Sequence, residues 1–195
     1  EAGVGKTSLM HYASYSWGKG DLWKGKFDFV IRVKLRDLLD NTWKKLYEKG
    51  GLKSDLEKYP LASFIHATTQ SSDSKKLQLE VSDLDKYLKN SGTKKVCLLL
   101  DGYDEVEEIL LGSEPKYREE RAIFKEALSF KNVVMTTRPH ALYEDIEKAF
   151  ERKVENLGLD RDGIDQYLRR VFSDELNRKH YHSLHTFLDR EQSVE

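Results

Sequence analysis

Cysteine occurs once, at Cys97, so the chain can form no internal disulfide and fits a reducing, cytoplasmic setting. Long apolar runs are missing too. None approaches the roughly 20 residues needed to cross a bilayer, and no signal peptide is visible. An excess of charge of either sign is likewise absent, because 33 Lys and Arg face 34 Asp and Glu. That balance gives no electrostatic case for nucleic acid or for an anionic membrane surface. No internal repeat is present. What remains is a chain of 195 residues, 38% apolar and 34% charged, enough for one domain with a sizeable core and a well-solvated surface.

Short apolar segments alternate with helical patterns. Thr7 to about Trp17 reads as a helix, with Leu9, Met10, Ala13 and Trp17 on one face. Residues 27–35 (FDFVIRVKL) are aromatic and β-branched and read as a strand. Leu38, Leu39, Trp43 and Leu46 recur at helical spacing before Gly50-Gly51. Residues 52–75 carry no clear signal, and the polar stretch 68–76 reads as a loop. Leu77, Val81, Leu84 and Leu88 predict a helix closed by Gly92. Val96–Leu100 is a continuous apolar run, as expected of a strand covered on both faces. Residues 119–130 predict a helix with Ile123, Phe124, Ala127 and Leu128 inward. Val133–Met135 reads as another short buried strand, residues 153–157 as a last strand and residues 162–172 as a helix. Strands alternating with helices imply an α/β fold with a parallel sheet.

Three segments carry chemistry. The first is Gly3-Val4-Gly5-Lys6-Thr7-Ser8, which opens a helix and matches the end of the P-loop pattern G-x-x-x-x-G-K-[ST]. Glycines let the backbone wrap a phosphate, and successive N–H groups at a helix N-terminus attract the anion. Lys6 is then expected at the β and γ phosphates and the Thr7 hydroxyl at Mg²⁺. The first glycine of the motif and the strand before it are expected upstream of Glu1. A chain without that strand is expected to leave unpaired edges and to fold poorly by itself.

The second segment is Leu98-Leu99-Leu100-Asp101-Gly102-Tyr103-Asp104-Glu105. An acid at the carboxyl end of a buried parallel strand faces the crevice where ligands bind in open α/β sheets. Asp101 is the candidate Mg²⁺ ligand, and Asp104 or Glu105 the candidate for activating a water. The plainer reading is a turn at Asp101-Gly102 followed by solvated acids. The third segment, Val134-Met135-Thr136-Thr137-Arg138-Pro139, ends a strand with polar residues. Arg138 or Thr137 is placed to sense a γ-phosphate if that strand lies beside the P-loop. The three segments follow one another in the order such a site requires, each at a strand end or helix start.

These residues resemble the NACHT family of STAND-type NTPases. The resemblance runs through EAGVGKTSL, FDFVIRVKLRDL, LLLDGYDEV (an extended Walker B motif) and VVMTTRP, and continues in ENLGLDRDGIDQYLRRVF. It implies a three-layer P-loop NTPase fold with an ASCE-type parallel sheet, in which the sensor strand lies between the P-loop and Walker B strands. Residues 1–158 would form the NTPase core, here without its first strand, and residues 159–195 the start of a small helical subdomain. The resemblance further implies ATP or ADP with Mg²⁺, slow hydrolysis, and a nucleotide-dependent switch that controls self-association in signal transduction. Gly3, Val4, Gly5, Lys6, Thr7 and Ser8 would hold the nucleotide and Thr7 and Asp101 the Mg²⁺. Asp104, Glu105 and Arg138 would be the catalytic set.

Other readings are a P-loop kinase and a scaffold without significant turnover. No N-K-x-D motif is present to select guanine. His180, His182 and His185 have no zinc-type spacing and no cysteine beside them. Trp17, Trp23 and Trp43 are expected in packing rather than base stacking, and residues 44–58 as a solvated face.

Overall fold

A computed structural model describes residues 5–50, 53–70, 79–89 and 95–158, together with residues 160, 162, 163, 166 and 167. Two compact units divide the chain: Gly5–Lys153, and Glu1–Val4 with Val154–Glu195. The first is an α/β layer structure. The apolar run becomes strand β2, Val96–Asp101, in which every residue is buried. It lies between β1 (Phe29–Lys34) and β3 (Val133–Met135), and both neighbours run parallel to it. Val33 is level with Leu100 and Lys34 with Asp101, whereas Leu100 is level with Met135. The three strands therefore deliver their polar carboxyl ends to one edge of the sheet.

Side chains on successive strand residues point to opposite faces, so each face has its own core. On one, Val30, Cys97 and Leu99 pack against Met10 and Ala13 of helix α1 (Lys6–Lys19), with Leu22, Trp23 and Phe27 closing the edge. On the other, Val33, Leu98 and Leu100 join a larger core built from α2 (Thr42–Gly50), α3 (Lys53–Lys58), α4 (Pro60–Gln70), α5 (Val81–Lys89) and α7 (Arg118–Leu128). Trp43 is 2% exposed and meets Phe64 edge-on at 5.3 Å. Trp23 meets Phe27 the same way at 5.4 Å, and the Trp17 indole donates to the Phe27 carbonyl at 3.3 Å. The tryptophans pack, as their surroundings in the sequence suggest. The short helices α6 (Glu107–Leu111) and α8 (Glu144–Glu147) follow the ends of β2 and β3.

Several expectations need correction. Val133–Met135 is a strand but not a buried one: Val134 is 42% exposed, because β3 is the edge of the three described strands. Residues 153–157 form no strand and are exposed; their apolar members Val154 and Leu157 have no described strand to pair with. The helix expected around Leu38 is split into a 3-10 turn, Leu35–Leu39, and α2. Asp40 breaks it by accepting the Thr42 N–H at 2.9 Å, a local hydrogen bond that starts a new helix. The signal-poor stretch after residue 52 contains α3 and α4, and Thr68 is still helical, its hydroxyl donating to the Phe64 carbonyl. Lys44 is not solvated: it reaches Glu120 at 2.6 Å and Glu119 at 2.9 Å across α7. Leu77, Gly92 and the histidines at 180, 182 and 185 lie outside the described residues. Of the helix expected over 162–172, residues 162, 163, 166 and 167 are described, and they are helical. Among the described residues no helix is long and apolar enough to cross a membrane.

Candidate functional site

Two glycines set the local backbone. Gly5 precedes α1 with φ of 84°, a left-handed conformation that carries no Cβ penalty in glycine alone. The Leu9 N–H returns to the Gly5 carbonyl at 2.8 Å, so Lys6 and Thr7 form the first turn of the helix. Gly102 has φ of 84° and turns the chain directly after Asp101. A Cβ there would also lie 3.0 Å from Glu105 Oε1. The turn lets Tyr103–Glu105 coil into a 3-10 turn over the strand end.

Asp101 is the centre of the site. It is 5% exposed, and a buried carboxylate must find donors or a counter-charge. Its Oδ1 accepts from Thr7 Oγ1 at 3.3 Å and from Thr136 Oγ1 at 3.1 Å. Its Oδ2 accepts from Arg32 Nη2 at 3.2 Å, as both hydrogen bond and ion pair. Thr136 also ties the strand ends together. Its hydroxyl accepts the Gly102 N–H at 3.0 Å, its N–H donates to Leu100, and its carbonyl accepts the Tyr103 N–H.

A second acid lies beside this group. The Asp104 side chain is 5% exposed and sits between two cations, Lys6 at 3.4 Å and Arg138 at 2.9 Å. The Arg138 contact is a charge contact without hydrogen-bond alignment. Glu105 differs: its side chain is 45% exposed and reaches Arg36 only at 3.9 Å. Just before them Tyr103 turns inward, is fully buried and stacks on Phe124 at 5.4 Å. Burial pushes its hydroxyl pKa up to about 12, and the nearby Glu107 and Tyr143 push the same way. On β2 itself, burial raises the Cys97 thiol to about 11, against a smaller pull from Lys26.

The structure thus brings Lys6, Thr7, Asp101, Asp104 and Arg138 to one edge of the sheet. Ser8 follows them in α1 but is exposed, the Thr137 hydroxyl donates to the Arg138 carbonyl, and Glu105 stands at the rim. Gly3 and Val4 lie outside the described residues. Sequence reasoning missed Arg32 and Thr136. The signal for Arg32 was a lone cation in the middle of a β-branched run, two residues from Val30 on the face that meets α1. Thr136 carried none beyond being the first polar residue after β3.

A glycine turn opening a helix, next to a buried aspartate at the end of a parallel strand, defines a P-loop α/β nucleotide-binding fold. A family model for the NACHT domain matches residues 1–175. The chain belongs to the NACHT domain family, whose members are nucleotide-binding NTPase modules of the P-loop class. No curated protein and no solved structure matches it.

Proposed function

We propose that the chain binds ATP and ADP with Mg²⁺ and acts as a slow, nucleotide-dependent switch that governs self-association in cytoplasmic signalling. The observation that carries this reading is the convergence of Lys6 and Thr7, from α1, with Asp101, Asp104 and Arg138, from two strand ends. In this reading residues 1–158 are the NTPase core and residues 159–195 begin the helical subdomain.

The residues present fit Mg²⁺. Asp101 and Thr7 offer hard oxygen donors, and their oxygens lie 3.3 Å apart. Neighbouring ligands in an octahedron with bonds of 2.0–2.1 Å are about 3 Å apart, so the spacing is close to what one such ion needs. Bound there with the nucleotide, the ion would neutralise phosphate charge. Gly3 to Ser8 would cradle the phosphates through backbone N–H groups and the helix N-terminus. Lys6 and Arg138 would leave Asp104 for phosphate oxygens, which offer the same charge with more acceptors. Asp104, so released, or Glu105 at the rim would then be free to act as the base toward an attacking water.

The test is to denature the purified protein, identify released nucleotide by chromatography, and repeat with Lys6→Ala. Nucleotide lost in the variant supports the reading. Absence of nucleotide from both, with no thermal shift on adding Mg-ATP, overturns it. A ligand at about 100 times its Kd should add roughly 2.7 kcal/mol of stability. Binding without turnover would leave a nucleotide-dependent scaffold. Single-turnover hydrolysis by Asp104→Asn and Glu105→Gln then identifies the acid, because only loss of the true base removes about 10²–10⁴-fold in rate.

A further inference from the structure

Arg32 occupies a position that the pattern of the sheet reserves for an apolar side chain. It alternates with Val30 on the face of β1 that meets α1, beside the core of Met10, Ala13, Cys97 and Leu99. Its side chain is only 16% exposed. A guanidinium held there loses much of its hydration and is tolerated only with a partner. The partner is Asp101 Oδ2, at 3.2 Å, while Arg32 Nε is buried and makes no hydrogen bond among the described residues. Arg32 therefore places a full positive charge against the very carboxylate that the proposed function assigns to Mg²⁺.

We infer that Arg32 is the resident counter-ion of Asp101, and that it bars a free divalent cation from the site until nucleotide phosphates supply further negative charge. The inference rests on the nucleotide-binding reading for its biological sense, but its chemistry is independent of it. With Arg32 in place, the Arg32–Asp101 pair carries almost no net charge to attract a dication. A second unit charge a few ångströms from a bound dication is repelled strongly in a partly desolvated site. Lys6 and Arg138 add to the barrier, because they neutralise Asp104, whose side chain is also only 5% exposed. Nor is there an all-protein cage: no group of three His, Cys, Asp or Glu that could hold a metal occurs among the described residues. Phosphates change the balance by bringing their own charge and oxygen donors, so the metal enters with the nucleotide and not before it. Arg32 is in this sense a specificity-determining residue for the order of binding.

The experiment measures Mn²⁺ binding by electron paramagnetic resonance to nucleotide-free protein, in the parent and in Arg32→Gln, Arg32→Lys and Arg32→Gln/Asp101→Asn. ADP binding in excess EDTA is measured in parallel. The parent and Arg32→Lys, which keep the charge, should bind Mn²⁺ weakly. Arg32→Gln should bind it at least about tenfold more tightly, and Asp101→Asn in that background should abolish the gain. A folded Arg32→Gln protein with unchanged or weaker Mn²⁺ binding overturns the inference, as does a parent that binds ADP and yet binds Mn²⁺ equally well with and without it. Should Arg32→Gln fail to melt cooperatively, Arg32→Met, which keeps the stem packed under α1, decides by the same criterion. A parent that binds no ADP, in EDTA or with Mg²⁺, would overturn the nucleotide reading instead, and the Mn²⁺ comparison between the variants would still stand or fall by itself.

Discussion

At the scale of single residues, stability around the site depends on hydroxyl groups that the sequence motifs do not flag. The Thr136 hydroxyl donates to Asp101 and accepts from the buried Gly102 N–H. Thr136→Val keeps the shape but leaves the Gly102 N–H unpaired and removes one of the two donors to Asp101 Oδ1, which should cost about 1–3 kcal/mol, while Thr136→Ser should retain most of the stability. Urea titration with an unchanged m-value checks both. Tyr103 presents the opposite case. Its buried hydroxyl makes no hydrogen bond among the described residues, while its ring is fully used against Phe124. Tyr103→Phe should therefore raise stability by about 1 kcal/mol, and a loss of that size would show that the hydroxyl is satisfied. Lys6, Thr7 and Asp101 were legible because glycine-rich phosphate loops and strand-end acids have fixed spacing. Arg32 was not, because its partner is 69 residues away and is reached only through strand register.

At the scale of elements, one buried ion pair joins two helices that no motif connects. Lys44 of α2 lies 2.6 Å from Glu120 of α7, and the Glu120 side chain is 2% exposed. Burial lowers the Lys44 pKa, but hydrogen bonds to Glu120 and Glu119 outweigh it and raise the group overall. Removing one member leaves a buried charge unpaired, so Lys44→Met should cost about 3–5 kcal/mol. The double variant Lys44→Met/Glu120→Leu should recover most of that loss, since two apolar side chains need no partner in this core. A thermal or urea double-mutant cycle checks it, and additive losses would mean that the two side chains act independently. Lys44 looked solvated because neighbouring sequence alternates charges; only the packing of α2 against α4 and α7 turns it inward. The strands and the helices of strong period were legible for the same reason that this pair was not. Periodicity reports burial along one element, whereas Lys44–Glu120 and the exposed edge of β3 depend on which elements become neighbours. The weak signal after residue 52 arises because α3 is only six residues long, and because α4 is buried on almost every side from Leu61 to Ala67 and so shows no polar face to set a period.

At the scale of the whole molecule, the central strand ties the fold to the alkaline side of the pH scale. Cys97 would ionise near 9.0 in the unfolded chain but resists until about 11 when folded, and Tyr103 moves from 10.0 to about 12. Above pH 9 the unfolded state thus binds fewer protons than the folded one, and stability must fall as pH rises. The Cys97 part is lost between about pH 9 and 11 and the Tyr103 part between about pH 10 and 12. Each is on the order of 2–3 kcal/mol when complete. Lys44 and Lys89 act in the same direction. Hydrogen bonds to their carboxylates overcome burial and raise both, so their contributions hold below 10.5 and fade as pH passes the raised values. The urea midpoint should therefore decline steadily above pH 9. Cys97→Ala should start lower but flatten the decline between pH 9 and 10, and Tyr103→Phe should flatten it above pH 10. Curves parallel to the parent in both variants would show that neither group carries the linkage. Because Cys97 lies on the strand that ends in Asp101, and Tyr103 two residues beyond it, the site is bound to the same transition. Nucleotide affinity should disappear with the alkaline unfolding of β2 rather than by an earlier, separate titration.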